Sequence, residues 1–182
     1  MIVDSDLSQV EALKLPQIIK PPKSVLDRQR LVNISYYSFD GKLHMGQIVV
    51  DKDLAEDTKD AFELIKKIKF PIASAIPMGS KKMLDDRSSM DLNNTVGFNY
   101  RYIVKTQKLS NHSLGRAIDI NPKQNPYIRS DYQSGGSYDP KELGTILENG
   151  EIVRFFKTCG WDWGGDWIDR KDYMHFEKPM KR

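Results

Sequence analysis

The order of patterns along this chain predicts an α+β fold, a small and mostly antiparallel sheet flanked by helices. Three observations lead there. Alternating apolar residues run into and out of Asp40-Gly41, a hairpin turn signal. One clear amphipathic helix follows over 53–68. The remaining strand patterns then come with few helices between them, which does not suggest a parallel doubly wound sheet.

In chain order, residues 1–28 read as a peripheral arm and 29–182 as a single domain. Pro16, Pro21 and Pro22 suit an extended crossing of the surface. Val32, Ile34 and Tyr36 alternate with Asn33 and Ser35 along a strand over 30–39, and 43–50 returns. His44, on the returning strand, reads as an ordinary strand histidine. In the helix, Leu54, Thr58, Ala61, Ile65 and Ile68 share one face, and Asp53 with Glu56 resembles a capping box. Residues 70–77 suit a core strand bounded by proline, and 79–94 a long loop of the kind that is often functional. Phe98, Tyr100, Tyr102 and Val104 alternate along a strand over 95–105, with Arg101 on its other face. A loop spans 124–144. Ile152, Phe155 and Phe156 mark a short helix over 148–158 that Gly160 ends, and 173–178 forms the last strand.

Composition narrows the classes. The 182 residues are 39% hydrophobic and 29% charged, which describes a globular protein with a real core. A net charge of +3 without a basic block does not suggest a nucleic-acid partner. The single cysteine, Cys159, excludes an intrachain disulfide and a zinc ribbon, and reads as a buried inert thiol. No apolar run reaches membrane-spanning length. The start, MIVDSDLSQVEALKL, lacks a basic segment followed by an apolar core, so no signal peptide is visible.

The chemistry concentrates in two stretches. Ser110 to Asn121, SNHSLGRAIDIN, sets His112 in a polar turn and Asp119 inside an apolar run, where a carboxylate is costly unless paired or metal-bound. Trp161 to Glu177, WDWGGDWIDRKDYMHFE, carries His175. His112, Asp119 and His175 make three zinc-type ligands and leave a fourth position open, as a catalytic site requires. Water activated there still needs a carboxylate to take its proton; Asp172, three residues before His175, competes with Asp166 and Asp169 for that role. Arg101 is the candidate cation for charge developing on a carbonyl oxygen. Each residue also has a plainer reading. Asp119 has Arg116 and Lys123 as possible partners, Trp161, Trp163 and Trp167 suit a core, and Arg101 suits a strand surface.

His112-x-x-Gly115-x-Ala117-x-Asp119, preceded by Ser110, resembles the SxHxxGxAxD motif of the zinc D-alanyl-D-alanine carboxypeptidases and L-alanyl-D-glutamate peptidases, the VanY-like group. Asp172-Tyr173-Met174-His175 is similar to that group's second motif. Many members carry Glu at the first position of this motif, where this chain has the shorter Asp. Trp163-Gly164-Gly165-Asp166-Trp167 and the run from Asn93 to Arg101 look like a bacterial subgroup, so the likeness extends from Met90 to Glu177. It implies a hedgehog-type fold and Zn2+ held by His112, Asp119 and His175. It also implies Asp172 as general base, Arg101 on the substrate carbonyl and Ser110 near the substrate. The implied substrate is a peptidoglycan stem peptide, cut by a monomeric enzyme that belongs in the cell envelope if a leader has been removed; without one, the visible start fits a cytoplasmic protein. Two rivals are a wall-binding module without catalysis, which would not need the complete ligand set and Asp172, and a non-haem iron oxygenase. The latter usually has its first His and carboxylate closer together than His112 and Asp119.

Overall fold

The computed structural model describes residues 1–16 and 19–180. Its strands and helices run in the order β1 (Ile2–Val3), α1 (Gln9–Ala12), α2 (Lys23–Leu26), β2 (Gln29–Tyr37), β3 (Leu43–Asp51), α3 (Ala55–Lys67), β4 (Ser74–Ala75), α4 (Asp86–Asp91), β5 (Asn94–Thr95), β6 (Ala117–Asp119), β7 (Tyr127–Arg129), β8 (Tyr132–Gln133), α5 (Glu151–Thr158), β9 (Asp162–Trp163), β10 (Lys171–Asp172) and β11 (His175–Glu177). The expected hairpin is present. β2 and β3 pair antiparallel from Gln29 opposite Asp51 to Tyr37 opposite Leu43, and Gly41 takes the positive φ of 74° that its turn needs. Alternation buries Val32, Ile34 and Tyr36 on one face, in one cluster with Ala61, Phe62 and Ile65 of α3. At the far end of the chain, Gly160 closes α5 at φ 78° and lets the Trp161 amide bond back to Phe156.

The expectation of one mostly antiparallel sheet needs correction. Among the described residues the strands form four small sheets, ordered β1-β3-β2, β10-β7-β8, β6-β11-β9 and β4-β5, within a mixed α/β fold. The pairs β1–β3 and β4–β5 are parallel. The core strand read over 70–77 shrinks to two residues, because Pro71 and Pro77 have no amide proton to give a ladder. The strand read over 95–105 dissolves for another reason: its amides find several different partners. Val96 donates to Asp119, Phe98 to Val49 and Asn99 to His112. Helix α4 interrupts the loop read over 79–94, capped by Asp85 and Ser88, and the hairpin β7–β8 lies inside the loop read over 124–144. The Asp53–Glu56 capping box does not form. Asp51 caps a 3-10 turn instead, accepting from the Asp53 amide, while the Asp53 carboxylate pairs with Arg28.

Residues 1–15 are stitched to the hairpin. Gln47 on β3 accepts from the Ser5 hydroxyl and the Leu7 amide, both at 2.7 Å. His44, on the same strand, has Asp4 and Asp40 as partners. The extended crossing read over Pro16 to Pro22 includes 17 and 18, which lie outside the described residues. Among the described residues two apolar clusters result. The larger joins the hairpin, α3 and α5 to Ile118, Ile120, Trp161, Trp163 and Phe176, with Cys159 half-buried at its edge. The smaller joins Ala12 and Leu15 of the arm to Val49, Ile76, Met78, Val96, Phe98 and Tyr100. Val96 bridges Asp119, so β6 runs along the seam between the two clusters. Among the described residues, no helix is long and apolar enough to cross a membrane.

Candidate metal centre

Two local folds deliver the candidate ligands. Ser110 caps a 3-10 turn, Asn111–Leu114, and Gly115 ends it at φ 67°. A β-carbon on Gly115 would sit 2.1 Å from Gln29 Oε1, so this turn lies hard against the base of β2. The chain then enters β6, where β11 places His175 directly opposite Asp119. Directly opposed residues of an antiparallel pair face the same way, and this brings the carboxylate to the second imidazole.

The three side chains converge. His112 Nε2 lies 3.2 Å from His175 Nδ1 and 3.1 Å from Asp119 Oδ2, and Asp119 Oδ1 lies 2.8 Å from His175 Nδ1. Three donors at 2.0–2.1 Å from a tetrahedral ion would stand about 3.3–3.4 Å apart. The observed spacings are close to that, and all three donor atoms lie within 4.8 Å of one another. The outer nitrogens are also committed. His112 Nδ1 donates to the Gly97 carbonyl at 2.6 Å, and His175 Nε2 faces Glu177 Oε2 at 2.9 Å. With a proton on each outer nitrogen, both inner nitrogens present lone pairs to one point. Two lone pairs facing at 3.2 Å need a proton or a cation between them, so the donor set fits a divalent metal.

Electrostatics agree with a cation-binding centre. Burial pushes the Asp119 carboxyl up, but His112 and His175 outweigh it and hold the group well below the usual carboxylate range. Burial works against a charged His175, yet its hydrogen bonds to Asp119 and Glu177 raise it to about 10. These bonds favour a proton on His175, and a cation entering the centre would compete with it.

Asp172 enters the same field. It sits on β10, and its carboxyl is pushed up to about 7 by burial, with Asp119 adding to the rise and His175, His112 and Arg101 opposing it. One of its oxygens, Oδ1, is buried without a hydrogen-bond partner among the described residues. The competing carboxylates are engaged elsewhere, Asp166 with Lys157 at 2.7 Å and Asp169 with Arg170 at 2.6 Å. Arg101 lies on irregular backbone and not on the expected strand. Its Nε donates to Asp86 at 3.2 Å, and its amide donates to Ser113 Oγ. Ser110 is buried, and its hydroxyl accepts from the His112 amide at 3.3 Å. Arg116, the sequence alternative as partner of Asp119, turns instead to the Lys178 carbonyl and Asp51.

The tryptophans divide. Trp161 and Trp163 are buried in the larger cluster. Trp167 is half-buried, its ring 5.5 Å from that of His175, with Arg170 over it at 4.6 Å. Sequence reasoning missed three groups: the Gly97 carbonyl, Asp86 and Glu177. The two-residue step from His175 to Glu177 could have revealed the last, since strand neighbours at that spacing share a face. A backbone carbonyl leaves no trace in a motif.

A family model described as D-alanyl-D-alanine carboxypeptidase matches residues 104–178. The Bacillus subtilis (strain 168) protein named Peptidoglycan L-alanyl-D-glutamate endopeptidase CwlK is 38% identical over 69 residues, which cover 37% of this chain and 38% of that protein. No solved structure matches. Both matches support the VanY-like resemblance.

Proposed function

We propose that this VanY-like chain is a zinc-dependent peptidase that hydrolyses amide bonds of peptidoglycan stem peptides. The observation that carries the reading is the meeting of His112, Asp119 and His175, within electrostatic reach of the Asp172 carboxyl, whose Oδ1 is buried without a hydrogen-bond partner among the described residues. A structural ion pair would satisfy that oxygen. A general base needs it free, and burial favours the proton-carrying form of this carboxyl. The names of the matching family and relative support a cell-wall substrate and a place in the envelope.

His112, Asp119 and His175 would hold the ion through Nε2, a carboxylate oxygen and Nδ1. Zinc in such a site supplies Lewis acidity and brings the pKa of water from 15.7 to about 7. Asp172 takes the proton from the attacking water and passes it to the leaving amine, so the base of the first step is the acid of the second. Arg101, steadied by Asp86, offsets the negative charge that grows on the scissile carbonyl oxygen. Trp167, with its ring 5.5 Å from that of His175, would flank the substrate beside the metal.

The test combines metal analysis with turnover of purified muropeptides. One zinc per chain is expected, lost in His112→Ala and in His175→Ala. Release of D-alanine would mark a carboxypeptidase, and a cut after L-alanine an endopeptidase. Muropeptide binding by a zinc-loaded protein that never cleaves would replace the reading with a binding module.

A further inference from the structure

Glu177 belongs to no role assigned above, yet it touches both metal-binding stretches. On β11, His175 and Glu177 share one face while Phe176 points the other way, into the core, stacked on Phe156 at 4.2 Å. Glu177 Oε2 accepts from His175 Nε2 at 2.9 Å and from Asn111 Nδ2 at 2.7 Å. Asn111 directly precedes His112 and opens the same 3-10 turn. One carboxylate oxygen thus ties the His112 turn to the His175 strand.

We propose that Glu177 is a metal-positioning residue: it holds the proton of His175 on Nε2, so that Nδ1 is the ligating atom, and with Asn111 it holds the two histidines at ligand spacing. The inference rests on the metal reading above. A neutral imidazole carries one proton, and a carboxylate next to one nitrogen keeps it there. Without that acceptor, His175 could place the proton on Nδ1 and face the ion with an N–H. Nothing else among its observed hydrogen bonds would oppose this, because its remaining partners, Asp119 and His112, both lie on the Nδ1 side. The carboxylate is also 20% exposed, hence partly shielded from water, and its negative charge makes the imidazole a better donor. Glu177 does not have to touch substrate to act, so its effect belongs to metal affinity first and to turnover only through it.

The experiment is chelator competition for zinc on the full chain, in the wild type, Glu177→Ala and Glu177→Gln, with the melting temperature of each metal-free protein. Loss of this acceptor is expected to weaken zinc binding about 10–100-fold. Gln still offers an oxygen to the Nε2 proton and should recover part of the loss. It also keeps the question open to test if the Ala variant fails to fold. ¹⁵N NMR of the zinc-loaded wild type should show His175 protonated at Nε2 and coordinated through Nδ1. Unchanged zinc affinity in folded Glu177→Ala, coordination through Nε2, or a wild type that binds no zinc would overturn the proposal. A wild type that binds zinc through Nδ1, loses affinity in both variants and cleaves no muropeptide would uphold it while removing the peptidase reading.

Discussion

Asp172 is the residue at which stability and proposed catalysis oppose each other. Its folded pKa of about 7 stands above the ordinary 3.8 because burial penalises the charged form. The sign follows from linkage. The fold favours the protonated acid, so the associated stability is complete below the unfolded value and is lost as pH rises through about 7. Asp172→Asn is neutral at every pH. In the metal-free protein, its melting temperature should gain on that of the wild type between pH 5 and pH 8; a constant difference would contradict the burial argument. The same variant should lose about 10²–10⁴ in turnover with zinc content intact. Arg101 gives the converse case. A lost oxyanion donor costs about 3–4 kcal/mol in the barrier, whereas a surface charge changes stability by about 0.5 kcal/mol at most. Arg101→Ala should therefore be folded, zinc-loaded and slow. Arg101→Lys should recover only part, since it lacks the planar fork. Near-wild-type turnover in both variants would return Arg101 to the surface.

The candidate base depends on an element too short to stand alone. β10 has two residues, held by β7 on one side and approached by the Trp163–Gly164 backbone on the other. A β-carbon on Gly164 would lie 2.5 Å from the Asp172 carbonyl and 2.8 Å from its β-carbon. Gly164→Ala must therefore push β10 away, at a cost of about 1–3 kcal/mol for overpacking. We expect turnover to fall at least tenfold while zinc stays bound, because no ligand lies on β10; a fully active Gly164→Ala would mean that Asp172 is not held from this side. This scale also explains what was legible in the sequence. The hairpin and α3 were readable because each repeats its period over many residues, and α5 because its apolar face and Gly160 bracket it. The meeting of His112, Asp119 and His175 could be expected from two motifs that resemble the VanY-like group, whereas spacing alone left it open. Strands of two or three residues have no period to read. Residues 95–105 alternate like a strand, but their amides go to β3, β6 and the His112 turn, a choice that only tertiary packing makes.

At the scale of the whole molecule, the arm completes the smaller cluster. Ala12 and Leu15 are buried with Val96, Phe98 and Tyr100, the residues that lead to Arg101. Leu15→Ala should cost about 2–5 kcal/mol in denaturant unfolding, as a core truncation does. A loss below about 0.5 kcal/mol would mean that the arm only rests on the surface. The sequence hid this attachment because residues 1–15 show no sustained period, and their anchors, Gln47 and the 96–100 segment, lie far along the chain.

The pairing of β6 with β11 has one more consequence. A strand shifted by one residue turns every side chain to the opposite face. Such a slip would send His175 toward the Phe156 side and Phe176 toward Asp119, and no three-donor set would remain. On the proposed metal reading, metal capture would then be a proofreading step: only the correctly registered sheet could bind, and binding would drain the misregistered population by mass action. Refolding from denaturant with zinc present should give a higher native yield than refolding with a chelator.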